Sequence, residues 1–455
     1  MPRQLFGTDG VRGRAGHFLT AELALSLARA AVARAQVQRP QVLIVRDTRE
    51  SGEMLESAIA AGVTAAGGDA LLGGVLPTPA APLLVRRHGF ELAAVISASH
   101  NPYEDNGIKL FASDGFKLDD DTEHAIEAEL GKPLEPPAQI GSVRRFQGAL
   151  EDYLHELQTR FSGLDLGGRK VLLDCANGAT YRAAPEIFRR LGAEVQPIAD
   201  RPDGRNINDR CGSTHLEAVV EQTKRGRFDL AFAFDGDGDR VLAIDREGEI
   251  VDGDELIALA AVHLRRSQRL PGNGVVVTVM TNFGFHTAMA QAGVEVASTA
   301  VGDRYVMDEL RRRGWALGGE QSGHIIDLGF GPSGDGIASA LLTLEALGGR
   351  DLHERDAMQK LPQRLVNIRA EDRAALATAM QDARVAAAIE REQAALHGRG
   401  RVLVRASGTE PLIRVMVEAP TAQETEAVCA RLARIVEESI ASGRSARLGV
   451  EEPSL

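Results

Sequence analysis

The chain has 455 residues, 44% of them hydrophobic and 25% charged, which supports substantial cores and exceeds what one core usually serves. Its formal net charge of -12 argues against nonspecific attraction to nucleic acid or an anionic membrane, so an anionic substrate would need a locally basic pocket. Three widely spaced cysteines, Cys175, Cys211 and Cys429, form neither a disulfide framework nor a CxxC metal pattern and fit a reducing cytoplasm.

The start of the chain lacks the apolar core of a signal peptide, and no run of about 18 apolar residues follows, so export and membrane insertion are not expected. Gly7-Thr8-Asp9-Gly10-Val11-Arg12-Gly13 lacks the Gly-Lys-Ser/Thr ending of a Walker loop, which removes the sequence argument for ATP binding. Val42 to Val45 reads as a buried strand, followed by a helix with Met54, Leu55, Ala58, Ile59 and Val63 on one face. A second apolar strand ends in Ile96-Ser97-Ala98-Ser99-His100-Asn101-Pro102, with Lys109 ten residues beyond Ser99. Serine needs a base, a cation or special geometry to react, and this setting makes Ser99 a candidate nucleophile or phosphate carrier. Asn101-Pro102 also suits an ordinary turn. His100 is a candidate base, although strand neighbours point to opposite faces, so an orienting role is its alternative.

Gly131-Lys132-Pro133-Leu134-Glu135-Pro136-Pro137 punctuates the chain, because successive prolines remove backbone donors. Val171 to Leu173 then reads as a strand leading to a helix around Ala183 to Leu191. The apolar Leu230-Ala231-Phe232-Ala233-Phe234 runs straight into Asp235-Gly236-Asp237-Gly238-Asp239-Arg240. Three carboxylates separated by glycines can turn toward one centre, and oxygen-only ligation favours Mg²⁺ over zinc. Arg240 could neutralise a phosphate beside the metal. Val275 to Val279 is a further strand, and Gly318-Gly319-Glu320-Gln321-Ser322-Gly323-His324 combines groups able to read sugar hydroxyls. Arg405-Ala406-Ser407-Gly408-Thr409-Glu410-Pro411, with Arg414, has the arginines, hydroxyls and loop amides of a phosphate cradle. A closing helix is announced by Thr421 and Glu424 in capping-box spacing, with Val428, Leu432, Ile435 and Val436 as its core stripe.

Continuous apolar strands separated by helical patterns favour α/β units with parallel sheets covered on both sides. We expect an α/β domain with the serine loop at 1–145, one with the metal loop at 146–249, one with the sugar loop at 250–364, and a phosphate-binding domain at 365–455. The serine and acidic segments together point to phosphoryl transfer. A metal-dependent sugar phosphatase and a noncatalytic sugar-phosphate sensor are the alternatives from other classes.

On these five ordered segments, the chain resembles the α-D-phosphohexomutase superfamily. The Phe6 to Gly10 opening, Gln321, Asn206-Ile207-Asn208 and Cys211 to His215 resemble its bacterial phosphoglucosamine branch. The resemblance implies three related α/β domains and a smaller α+β domain of the TATA-box-binding-protein-like type around a central cleft. Ser99 would be the phosphorylated serine, and Asp235, Asp237 and Asp239 would hold Mg²⁺ together with a Ser99 phosphate oxygen. Glu320 and Ser322 would contact sugar hydroxyls. Arg405, Ser407, Gly408, Thr409 and Arg414 would hold the phosphate that is not reacting. Arg12, Lys109 and His324 match positions near the transferred group, with Lys109 as acid or base if nearby cations lower its pKa. The implied reaction converts glucosamine 6-phosphate to glucosamine 1-phosphate through a 1,6-bisphosphate, with glucosamine or glucose 1,6-bisphosphate as primer. The neighbouring alternative is a phosphoglucomutase/phosphomannomutase. The expected partner is a phosphorylated hexosamine, with no nucleic acid or membrane; a homodimer is left open.

Overall fold

A computed structural model describes residues 5–7, 9–35, 37–132, 137–370, 373–406 and 411–448. The chain forms two compact units, one of Met1–Met280 with Ala292–Ala357, the other of Thr281–Gln291 with Met358–Leu455.

Three sheets build the first unit. In the first, strands β1 (Val11–Arg14), β2 (Gln41–Arg46), β3 (Asp69–Val75), β4 (Leu92–Ile96), β5 (Asp105–Ala112) and β6 (Val143–Arg145) lie in the order β1-β5-β4-β2-β3-β6. The second contains β7 (Lys170–Asp174), β8 (Glu194–Ile198), β9 (Leu230–Phe234), β10 (Val241–Asp245) and β11 (Ile250–Val251), ordered β11-β10-β9-β7-β8. The third contains β12 (Gly274–Thr278), β13 (Glu295–Thr299), β14 (Leu317–Gly319) and β15 (Ile325–Asp327), ordered β13-β12-β14-β15. Every residue of β4, β9 and β12 is buried, which is why these strands read as unbroken apolar runs rather than alternating ones.

Parallel pairing is only part of each sheet. β2 runs parallel to β3 and β4, β7 to β8 and β9, and β12 to β13 and β14. The chain then reverses: β5 is antiparallel to β4, β10 to β9, and β15 to β14. All three reversals occur where a parallel strand hands over to its antiparallel neighbour. The sequence pattern missed them because a strand buried on both faces looks the same whatever the direction of its partner. The serine, acidic and sugar segments occupy these three equivalent connections, at the carboxyl ends of parallel strands where ligands collect in such sheets.

The helix Gly52–Ala65 buries Leu55, Ala58, Ile59 and Val63, each worth about 1.5–3 kcal/mol for the larger side chains. Met54, expected on the same face, is 39% exposed, because it precedes Leu55 by one residue and falls about 100° around the helix.

The second unit carries a sheet of β16 (Gln363–Arg369), β17 (Arg401–Ala406) and β18 (Leu412–Glu418), ordered β16-β18-β17 and antiparallel throughout. The helix Ala422–Leu448 packs Val428, Leu432 and Val436 into its core, with Ile435 partly buried against it. The Glu424 amide donates to Thr421 Oγ1 at 3.2 Å, as the capping pattern predicts. Segment 281–291 belongs here through Asn282, whose side chain exchanges two 3.0 Å hydrogen bonds with the Leu361 backbone. The Phe283 amide adds a 3.0 Å bond to Glu418.

Candidate active site

Ser99 lies three residues beyond the end of β4, buried, with φ of 52°. The left-handed region costs a non-glycine residue about 1–2 kcal/mol, so the surroundings must impose it. The conformation directs Ser99 Oγ to Asp235 Oδ2 at 2.5 Å, with His100 Nδ1 at 3.3 Å. The expectation that Ser99 and His100 point to opposite faces is therefore corrected: the pair lies in a loop, where strand alternation does not apply. Burial, then the charges of Arg240 and Arg12, lower the His100 pKa, favouring a neutral imidazole able to accept a proton.

The acidic loop presses against the serine loop. A β-carbon on Gly236 would sit 2.6 Å from the Ser99 carbonyl oxygen, so glycine permits the approach. Asp235, Asp237 and Asp239 are all buried, and one carboxylate oxygen from each lies within 4.8 Å of the others. Asp235 Oδ1 accepts from the Gly238 and Arg240 amides, both at 3.1 Å. Asp237 Oδ2 accepts from Thr78 Oγ1 at 2.7 Å and Lys109 Nζ at 2.8 Å. Asp237 Oδ1 and Asp239 Oδ1 are buried without a hydrogen-bond donor. Three buried carboxylates with ligand atoms this close, and two oxygens lacking donors, fit a hard divalent cation. Burial, followed by the charges of Asp239 and Asp237, pushes the Asp235 carboxyl well above its usual range.

Lys109, on β5 opposite Val95 of β4, reaches Asp237 at 2.8 Å, Asp9 at 3.1 Å and Asp239 at 3.5 Å. Burial opposes its charge, but these carboxylates hold its pKa above the ordinary ammonium value. This reverses the expected lowering, because anions rather than cations surround it. Lys109 is a fixed positive charge here. Arg12, on β1, donates to the Asp9 carboxylate and carbonyl. Arg240 is held protonated against its burial by Asp239 first and Asp235 next. Its Nε lies 3.9 Å from Asp239 and makes no hydrogen bond.

The sugar segment docks on this centre. The Val241 amide donates to the Gly323 carbonyl at 3.0 Å, and His324 pairs with Arg240 as a β-bridge. His324 places Nδ1 3.6 Å from Asp239 and Nε2 3.9 Å from Asp303. Against burial, Asp239 and then Asp303 raise its pKa to about 9. Glu320 is buried and accepts the Gly302 amide at 3.0 Å, while Ser322 is exposed. Gln321 is tied to Asp252 at 3.1 Å. Beside His324 opens a cavity of about 190 Å³, lined in part by Phe116, Lys117, Asp303, Arg304 and Arg311.

Several residues escaped the sequence reading. Lys117 bridges Asp9 and Asp303, both at 2.5 Å, joining the opening loop to the segment beneath His324. A neighbouring clasp of opposite polarity ties Arg304 to Glu123 at 3.2 Å and to Asp120. Asn208 donates to the Ser99 carbonyl at 2.9 Å and to that of Asn101 at 3.1 Å, giving Asn206-Ile207-Asn208 a physical role. Asp47 and Arg49, just past β2, are buried beneath the serine loop. Polar residues directly after an apolar strand were the available signal for that pair. Nothing local marked Lys117 or Asp303.

In the second unit Arg405 and Arg414 face each other in register across β17 and β18, so their side chains share one face, an arrangement suited to a dianion. Ser407, Gly408 and Thr409 lie outside the described residues. The three cysteines are free and buried.

Four family models match: phosphoglucomutase/phosphomannomutase alpha/beta/alpha domain I over residues 3–136, domain II over 151–248, domain III over 252–365, and the C-terminal domain over 365–435. Phosphoglucosamine mutase of Pelotomaculum thermopropionicum is 47% identical over 444 residues, spanning 95% of this chain and 99% of the relative. That of Moorella thermoacetica is 49% identical with the same coverage. Among solved structures, a phosphoglucomutase/phosphomannomutase family protein from Burkholderia thailandensis superposes with a TM-score of 0.79 at 23% identity, covering 96% of this chain and 97% of its own. An Aspergillus fumigatus N-acetylphosphoglucosamine mutase in complex with GlcNAc-6P and magnesium does so with a TM-score of 0.66 at 19% identity, covering 96% of each chain. The chain belongs to the phosphoglucomutase/phosphomannomutase family, alongside the phosphoglucosamine mutases.

Proposed function

We propose that the chain is a phosphosugar mutase that converts glucosamine 6-phosphate to glucosamine 1-phosphate by way of a phosphoserine at Ser99. The observation carrying this reading is the 2.5 Å contact between Ser99 Oγ and Asp235, inside a buried acidic triad with two carboxylate oxygens that lack donors. The Aspergillus relative's complex with a hexosamine phosphate and magnesium supports the same substrate class and metal. Asp235, Asp237 and Asp239 would hold Mg²⁺ with an oxygen of the Ser99 phosphate. The bound ion would offset charge on the transferring phosphoryl group.

In the first half-reaction the phosphoryl group leaves Ser99 Oγ for O1 of the sugar, giving the 1,6-bisphosphate and a free serine hydroxyl. After the intermediate turns around, Ser99 Oγ takes the C6 phosphoryl group, releasing the 1-phosphate and restoring the phosphoserine. Lys109, Arg12 and Arg240 supply fixed positive charge around the transferring group, where electrostatics and positioning dominate. His100, neutral and beside Oγ, takes the serine proton as the phosphoryl group returns. Protonated His324 is suited to donate toward an oxygen of the sugar or its phosphate. Glu320 and Ser322 read sugar hydroxyls. Arg405, Ser407, Gly408, Thr409 and Arg414 take the phosphate not in transfer, an assignment supported by the resemblance and, for the two arginines, by their shared face. Domain limits of 1–145, 146–249, 250–364 and 365–455 accompany this reading, with 281–291 contributed to the last. A bisphosphate primer and a cytoplasmic location fit it; among the described residues no helix is long and apolar enough to cross a membrane.

The test is interconversion of the 1- and 6-phosphates of glucosamine, glucose and mannose side by side. A preference for glucosamine is expected. A preference for glucose or mannose would move the chain to another branch, and phosphate release without isomer formation would replace the mutase by a phosphatase.

A further inference from the structure

We infer that Ser97, Asp47 and Arg49 form a closed hydrogen-bonded ring that positions Ser99 for phosphoryl transfer, an inference that rests on the phosphoserine reading above. The Ser99 amide donates to Ser97 Oγ at 3.0 Å, and Ser97 Oγ donates to Asp47 Oδ2 at 2.5 Å. Arg49 Nε donates to that same oxygen at 2.9 Å, and its NH2 group donates to the Ser99 carbonyl at 2.8 Å. The circuit therefore begins and ends on the two backbone groups of one residue.

Fixing both peptide groups of Ser99 sets its backbone dihedrals, and Ser99 has a left-handed φ of 52° that an L-residue leaves when free to do so. From this conformation the hydroxyl reaches Asp235. The Arg49 and Asp47 side chains are completely shielded from solvent. Arg49 also donates to the carbonyls of Asn101 at 2.9 Å and Asp105 at 3.1 Å, so one planar guanidinium gathers the Ser99, Asn101 and Asp105 carbonyls, the first two shared with Asn208. A lysine ammonium lacks that fork. Arg49's bonds are to Asp47 and to this loop's carbonyls, which makes it a positioning residue rather than a catalytic one.

Ser97→Ala deletes one link of the ring without adding volume. Dephosphorylated enzyme mixed with glucose 1,6-bisphosphate in a single turnover transfers a phosphoryl group from a sugar oxygen to Ser99 Oγ and releases glucose monophosphate; intact-mass spectrometry follows the gain. Ser97→Ala should slow this step about 10²-fold, the order expected for a misplaced reacting atom, while the KM for the hexosamine phosphate stays near that of the parent. Ser97→Thr, which keeps the hydroxyl, should restore most of the rate, and Arg49→Lys should not match the parent. Parent-like phosphorylation of Ser97→Ala would overturn the ring. So would a folded Ser97→Thr as slow as Ser97→Ala. If the parent chain takes no phosphate on Ser99, the phosphoserine reading itself fails, an outcome distinct from failure of the ring alone.

Discussion

Replacing Lys117 by Met removes the cation between Asp9 and Asp303 and makes the two carboxylates unequal in what they retain. Asp9 keeps Arg12 and Lys109, whereas Asp303 keeps the Arg304 amide at 2.8 Å and His324 at 3.9 Å. Breaking a buried ion pair by removing one partner costs about 3–5 kcal/mol. With the Lys117 side chain 25% exposed and that of Asp303 19% exposed, water relieves part of this, and we expect a loss of about 2 kcal/mol. The sign of the pH dependence is fixed. In the parent, burial raises the Asp303 pKa but Lys117 and His324 outweigh it and hold it below 3.8. That stability is present above the unfolded value and is lost as pH falls. In Lys117→Met the main lowering charge is gone and burial remains, so the Asp303 pKa moves upward and ionising it opposes folding as pH rises. Urea unfolding should therefore show a deficit that widens from about pH 3 to about pH 6, as the carboxyl ionises. Lys117→Met/Asp303→Asn should be more stable than Lys117→Met, because the second substitution deletes the orphaned charge. A deficit equal at both pH values, or a double variant no better than the single one, would refute the reasoning.

Three further outcomes are expected. Ser99→Ala should lose interconversion and the mass of one phosphoryl group on the purified protein; retained turnover would remove Ser99 as carrier. Chelation of divalent metal should stop transfer reversibly, and Asp237→Ala should abolish calorimetric Mg²⁺ binding while the chain stays folded. Asp335 is buried, caps the helix Gly336–Leu347 and accepts a hydrogen bond from Tyr153 at 2.9 Å; burial raises its pKa to about 6. An acid with a raised folded pKa loses stability as pH rises between its unfolded and folded values, so Asp335→Asn should gain on the parent by on the order of 2 kcal/mol between about pH 4 and pH 6. Parallel stability curves over that range would contradict the assignment.

The clearest residues in the sequence were those whose chemistry is concentrated locally. Asp235, Asp237 and Asp239 follow a fully apolar strand, so a reader of the sequence meets the charge cluster and its scaffold together. Ser99 was legible in the same way. The geometry that makes it useful was not, because a left-handed backbone at a serine follows from partners at Asp47, Arg49 and Asn208 that are remote in the chain. Lys109 shows how far a local view can mislead. Nothing near it in sequence reveals Asp9, Asp237 and Asp239, and these reverse the direction of its pKa shift. Lys117 and Asp303 carry no motif, and 186 residues separate them.

By itself the sequence determined the α/β character, the order of the serine loop, the acidic loop and the segments at 318–324 and 405–414, and the type of chemistry, since apolar periodicity and residue inventory are local properties. Tertiary structure decided which strands reverse, placing three segments at equivalent turns of three sheets. It also decided the electrostatics of the centre, because a charge takes its pKa from neighbours in space, and folding brings those neighbours from every part of the chain.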